Sequence, residues 1–112
     1  MRLDDIENKL NLKLLSGRKS LNSEVSRGYV SDLMSDVIAH GKEGDIWITY
    51  QTHLNVVAIA LMKNMAGIIL IQGRELIPSA AIKAEQEGLP VFSSSKSAFE
   101  VVGKLYQLGI SG

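Results

Sequence analysis

The chain contains no cysteine. Disulfides, thiolate nucleophiles and cysteine-based zinc or iron–sulfur sites are therefore excluded. It also lacks an excess of either charge: Lys and Arg number 12, Asp and Glu number 12, and the formal net charge is zero. With no Lys/Arg run either, there is no electrostatic reason to expect DNA or RNA as a partner. Long apolar runs are missing as well. The most apolar stretch, Val56 to Met62, is far too short to span a bilayer, and Met1 to Ser16 has scattered charges and no apolar centre of the kind a signal peptide needs. No membrane partner is predicted. A soluble protein of the cytoplasm is expected, a compartment that also suits the absence of cysteine. No GxGxxG segment is present, which argues against a standard Rossmann dinucleotide site. Gly17-Arg18-Lys19-Ser20 superficially resembles the end of a P-loop. However, Leu12 stands where the upstream glycine belongs, and the lysine is not adjacent to Gly17. No internal repeat or low-complexity segment is found.

What remains is a chain of 112 residues that is 46% hydrophobic, enough for one domain with a core of its own. Leu3, Ile6 and Leu10 have helical spacing behind Asp4 and Asp5, which suit a helix N-terminus. Leu12 to Leu15 reads as a first strand, and Gly17 to Ser23 as a loop. From Val25 a regular alternation begins. Val25 to Val30 is a strand, and Ser31-Asp32 cap a helix marked by Leu33, Met34, Val37 and Ile38 that ends at Gly41. Gly41 to Asp45 is a turn, and Ile46 to Thr49 is a buried type of strand. A helix follows over about Leu54 to Asn64, then a strand over Ala66 to Ile71. Pro78 opens a helix that runs to Glu87, and Leu89 to Phe92 is a short strand. Ser97 and Glu100 have capping-box spacing at the head of a last helix reaching Leu108. Strands alternating with helices predict an α/β fold with a mainly parallel sheet of 4–5 strands flanked by helices.

Two helices are more apolar than one buried face requires. Val56 to Met62 forms a belt around its axis. The last helix has one stripe at Phe99, Val102 and Tyr106 and a second at Ala98, Val101, Leu105 and Leu108. Such helices are either central to the fold or half of an interface, and a homodimer is the expected partner state.

The residues with chemistry are few. His40 lies in the last turn of its helix, where a cation suits the dipole, and the plain reading is a solvated or capping side chain. His53 sits at a strand-to-helix junction. Ser31, Asp32, Ser35 and Asp36 repeat at a spacing of four, so two carboxylates could share a helix face, but a cap followed by a polar face explains them more simply. No catalytic set and no metal site are predicted. Ligands of parallel α/β sheets bind beyond the carboxyl ends of the strands. The candidates there are Thr49, Thr52, His53, Gln72, Gly73, Arg74 and Ser94. Hydroxyls, helix N-terminal N–H groups and one arginine suit a small anion such as phosphate or carboxylate, or a nucleotide. The plainer alternative is that the hydroxyls cap helices and Arg74 is solvated.

These segments resemble one family. Arg27-Gly28-Tyr29-Val30-Ser31-Asp32-Leu33-Met34-Ser35-Asp36, Ile48-Thr49 before a polar loop, Ala66 to Gly73, and the run A-E-Q-E-G-L-P-V from Ala84 to Val91 look like a DRTGG domain, best matched over residues 25–108 of a single domain spanning 1–112. The motif that names the family is mostly replaced. Gln51-Thr52 stands near its Asp-Arg, and Ile71-Gln72-Gly73 stands for its Thr-Gly-Gly. The resemblance implies a fold similar to the N-terminal domain of HPr kinase/phosphorylase. It also implies a regulatory or dimerising module, found beside phosphate acetyltransferase domains, within CBS-containing pyrophosphatases and alone. It carries no catalytic residues and no cofactor. The P-loop kinase domain that makes an HPr kinase an enzyme is missing, so kinase activity is not implied. The sequence thus predicts a non-catalytic, ligand-sensing homodimer. A pure interaction subunit docking on a protein partner is the alternative, and a small enzyme working through His53, Thr49 or Asp32 and Asp36 comes third.

Overall fold

The computed structural model describes residues 1–112. Its centre is a five-stranded sheet in the order β1-β5-β4-β3-β2. The strands are β1 (Lys13–Ser16), β2 (Arg27–Val30), β3 (Asp45–Thr49), β4 (Gly67–Leu70) and β5 (Val91–Ser93). Strands β2 to β5 are mutually parallel, and β1 pairs antiparallel with β5 at one edge. The helices are α1 (Leu3–Lys9), α2 (Met34–His40), α3 (Leu54–Met62), α4 (Pro78–Gln86) and α5 (Ala98–Gln107).

Because the chain steps from β2 to β5 through neighbouring strands, its three crossovers fall on the same side of the sheet. Val37 of α2, Val56, Val57 and Ala60 of α3, and Ala80 and Ala84 of α4 pack there against Trp47, Ile68, Leu70 and Val91. Leu3 and Ile6 of α1 with Val101 and Leu105 of α5 cover the opposite face, over Ile46, Ile48, Ile69 and Phe92. Successive strand residues thus alternate between two apolar layers, which is why these strands read as continuous apolar runs. Position accounts for part of the α3 belt: α3 lies between α2 and α4, and Val56, Val57, Ile59 and Ala60 are buried, while Ala58 and Met62 are exposed.

Several boundaries differ from the sequence expectation, each for a local reason. Residues 25 and 26 do not belong to β2, because the Val25 N–H donates to Met1 O and the Ser26 N–H to Gly44 O. Helix α2 starts at Met34 instead of being capped by Ser31-Asp32. The Ser31 Oγ accepts the Leu33 N–H in a local turn, while Asp32 turns away to β3. Strand β5 starts after Pro90, since the Leu89 N–H closes α4 on Ala84 O. The Ser97 cap is present, its Oγ accepting the Glu100 N–H at 3.3 Å.

Asp45, expected in a turn, opens β3 and is fully buried. It accepts a bidentate pair from Arg27, Nε to Oδ1 at 2.7 Å and Nη2 to Oδ2 at 2.9 Å, and the Lys42 N–H at 2.8 Å. A second Arg27 contact, Nη2 to His40 O at 2.8 Å, ties in the end of α2. Removing one partner of a buried pair costs far more than the pair contributes. Arg27→Met is therefore expected to lower unfolding stability by about 3 kcal/mol in urea titration. Arg27→Met combined with Asp45→Leu should recover part of that loss but not all, because the Lys42 N–H stays unpaired.

Candidate functional site

The carboxyl ends of the four parallel strands are stitched into one continuous polar seam. At the β2 end, the Asp32 Oδ1 accepts the Thr49 Oγ1 hydroxyl at 2.7 Å and the Tyr50 N–H at 2.8 Å. Thr49 Oγ1 in turn accepts the Gln51 N–H at 3.2 Å. At the next step, Arg74 reaches back from the β4 loop. Its guanidinium carbon lies 4.1 Å from the centre of the Tyr50 ring, and Nη2 donates to Thr52 Oγ1 at 3.3 Å. A guanidinium stacked on an aromatic face is held in place while keeping most of its donors free. The Ile77 N–H donates to Thr52 O, fixing the entry to α4 against the β3 loop.

The β4 and β5 loops are joined mainly through backbone. The Gln72 N–H donates to Lys96 O at 2.9 Å and the Gly73 N–H to Ser94 O at 2.7 Å. Ser93 Oγ donates to Arg74 O at 2.7 Å, and Ser94 Oγ accepts the Lys96 N–H at 3.1 Å. Gln72 and Gly73 both have positive φ, 55° and 70°, which turns the loop sharply enough to make these bonds. At Gly73 a Cβ would meet open space, so the backbone conformation is what suits glycine there.

All seven candidate residues therefore lie along the seam, with different freedoms. Thr49, Thr52 and Ser94 are buried, and their hydroxyls already serve loop bonds. Arg74 is half-buried, whereas His53, Gln72 and Gly73 are exposed. His53 is the N-cap residue of α3 without a side-chain capping bond. What the seam offers to solvent is part of a guanidinium, an imidazole and an amide, from Arg74, His53 and Gln72. These are donors around a shallow surface, suited to a multiply charged anion. The three cavities of the molecule lie elsewhere and are lined by none of the seven.

One contributor went unseen in the sequence, and another was given a different role there. Tyr50 supplies the platform for Arg74, and its only trace was an aromatic residue in an otherwise polar loop. Asp32 couples β2 to β3 instead of capping α2. The two carboxylates of the Ser-Asp repeat do not share a helix face, because Asp32 precedes the helix. Asp36 instead accepts the Tyr29 hydroxyl at 2.7 Å and contacts His40 Nδ1 at 3.1 Å. His40 is thus the neighbour of a carboxylate within its own helix. No group of three or more His, Asp or Glu side chains is arranged to hold a metal ion.

The Tyr29 hydroxyl bond, with smaller help from Ser31 and His40, holds Asp36 below the usual carboxylate range. A depressed carboxylate adds stability that is fully present above its unfolded pKa of about 4 and is lost as pH falls through the folded value. Tyr29→Phe is accordingly expected to melt below the wild type at pH 7, with the gap closing as the pH falls below about 4, as read by thermal melts across an acid pH series.

No family model matches the chain. No curated protein matches it either. Among solved structures, the chain is similar to the CBS and DRTGG domains of the regulatory region of Clostridium perfringens pyrophosphatase, crystallised with the activator diadenosine tetraphosphate. The TM-score is 0.79 at 16% identity, over 95% of this chain and 46% of that one. This chain therefore spans about half the length of that structure, and the likeness is one of fold.

Proposed function

We propose that this chain is a non-catalytic regulatory module, a homodimer that senses a small anion or nucleotide on the strand-end seam. Residues 1–112 make up a single DRTGG-like domain in this reading, placed in the cytoplasm. The observation that carries it is Arg74, poised over Tyr50 and donating to Thr52 through Nη2 alone, with no other side-chain hydrogen bond. Support comes from the neighbour's fold, which occurs in a regulatory region crystallised with a nucleotide activator. The chemistry of the seam agrees with binding and not with turnover. It presents donors and a cation, but no nucleophile held against a base that a third group orients.

A ligand that binds only the folded state raises the melting temperature in proportion to its occupancy. In a thermal-shift series with mononucleotides, dinucleoside polyphosphates, acyl phosphates and inorganic phosphate, at least one phosphate compound is expected to stabilise the wild type. At a hundredfold excess over Kd the gain is about 2.7 kcal/mol. Arg74→Ala should abolish most of the shift while leaving the unliganded melting temperature within a few degrees, since the seam keeps its backbone bonds. No shift with any of these compounds at millimolar concentration removes the sensing role and leaves a subunit that acts by docking on a protein partner.

A further inference from the structure

Helix α5 buries Val101 and Leu105 and packs Ala98 and Leu108 against the same core. Its opposite face has no partner. Phe99 there is 89% exposed and Tyr106 60% exposed, with Gly103 between them on the helix surface. Gly103 has no positive φ, and a Cβ built on it would meet nothing within 4 Å. A glycine inside a helix costs stability relative to alanine. Nothing within the chain requires that cost. A second backbone approaching closely from outside would.

Beside this face lies an apolar cleft of about 310 Å³ between α5 and the β2 edge, lined by Val30, Ile48, Val102, Leu105 and Tyr106. The same helix thus carries a protrusion at Phe99 and a recess at Tyr106. They are separated by seven residues, or about 10.5 Å along the axis. A two-fold axis beside Val102 and Gly103 exchanges them, setting Phe99 against the partner's Tyr106 at the mouth of the cleft. The charges obey the same operation. In an antiparallel pair, Glu100 of one copy falls next to the partner's Lys104, and the reverse, on the flank away from the cleft. A surface that matches itself under a two-fold is what an isologous dimer needs.

From these features we infer that the outward face of α5 is the homodimer interface, with two copies of the helix packed antiparallel across Gly103. The inference rests on the homodimeric reading above and gives that dimer its surface.

Because the chain has no cysteine, Gly103→Cys introduces a single thiol placed next to its own symmetry mate. Light scattering after size exclusion should find the wild type dimeric at micromolar concentration and Phe99→Glu monomeric, still unfolding in one cooperative transition but without the concentration dependence of the wild-type melting temperature. Mild oxidation should convert Gly103→Cys largely to a covalent dimer, as Cα atoms within about 7 Å permit. A Lys83→Cys control on α4 should stay mostly monomeric on denaturing gels. A wild type that stays monomeric at hundreds of micromolar overturns both the dimer and its surface, and assigns the α5 face to another protein or an apolar ligand. A dimeric wild type whose Phe99→Glu variant also remains dimeric, with Gly103→Cys uncrosslinked, overturns the surface while the homodimeric reading stands. Loss of the dimer in Phe99→Glu without crosslinking of Gly103→Cys overturns the antiparallel arrangement.

Discussion

A strand covered on both faces can place polar side chains only at its ends, and β3 is covered along its whole length. Its two end residues, Asp45 and Thr49, are both buried and polar. Each is satisfied from the direction of β2: Asp45 by Arg27, which starts β2, and Thr49 by Asp32, which follows β2. The edge strand is therefore clamped to its neighbour at both ends by a carboxylate contact, one at the amino end and one at the carboxyl end. Between the clamps the register is set residue by residue, Arg27 opposite Asp45 through Val30 opposite Ile48. A slip of one position would separate Arg27 from a fully buried carboxylate, so the pair acts on register as well as on stability.

The clamp at the carboxyl end also begins the candidate site. By holding Thr49 and the Tyr50 N–H, Asp32 fixes the direction in which β3 leaves the sheet, and so fixes the Tyr50 ring. That ring positions Arg74, and the Arg74 backbone carbonyl accepts from Ser93 at the end of β5. Hydrogen bonds and one stacking contact thus connect all four strand ends. The opposite end of the sheet differs in character. The cavity there, about 340 Å³, has Glu24, Glu43 and Glu87 in its wall.

Much of the architecture was legible in the sequence because burial on two faces leaves a direct trace. The apolar runs around Ile46–Ile48 and Ile68–Ile71 marked parallel strands, and the intervening helices were marked by Pro78 and Ser97. The order of the strands left no such trace, since it is decided by which helices pack together. Side-chain roles were harder to read where a residue suited two local jobs. Asp45 belonged as well to a turn as to a strand, and Asp32 as well to a cap as to a cross-strand acceptor. In both cases a distant partner, Arg27 or Thr49, decided the outcome, and pairing at long sequence separation has no periodicity to detect. The α5 stripe shows the converse. Its excess of apolar residues was visible at once, and the fold accounts for Ala98, Val101, Leu105 and Leu108 while leaving Phe99 and Tyr106 outside.

The loop after β3 reads differently in sequence and in space. Where the resemblance leads one to look for an Asp-Arg pair, the chain has Gln51-Thr52, and by sequence the loop carries no guanidinium. In space one is present. The Arg74 side chain crosses from the β4 loop, bonds the Thr52 hydroxyl and lies on Tyr50, so a guanidinium occupies the surroundings of residue 52 from the neighbouring strand end. A carboxylate is present too, since Asp32 lies against Tyr50 and Gln51 from the other side. A guanidinium and a carboxylate thus flank this loop from residues 74 and 32, more than forty positions apart. Strand β2 thus faces both ways, joined to the seam through Asp32 at its carboxyl end and bordering the cleft beside α5 along its edge.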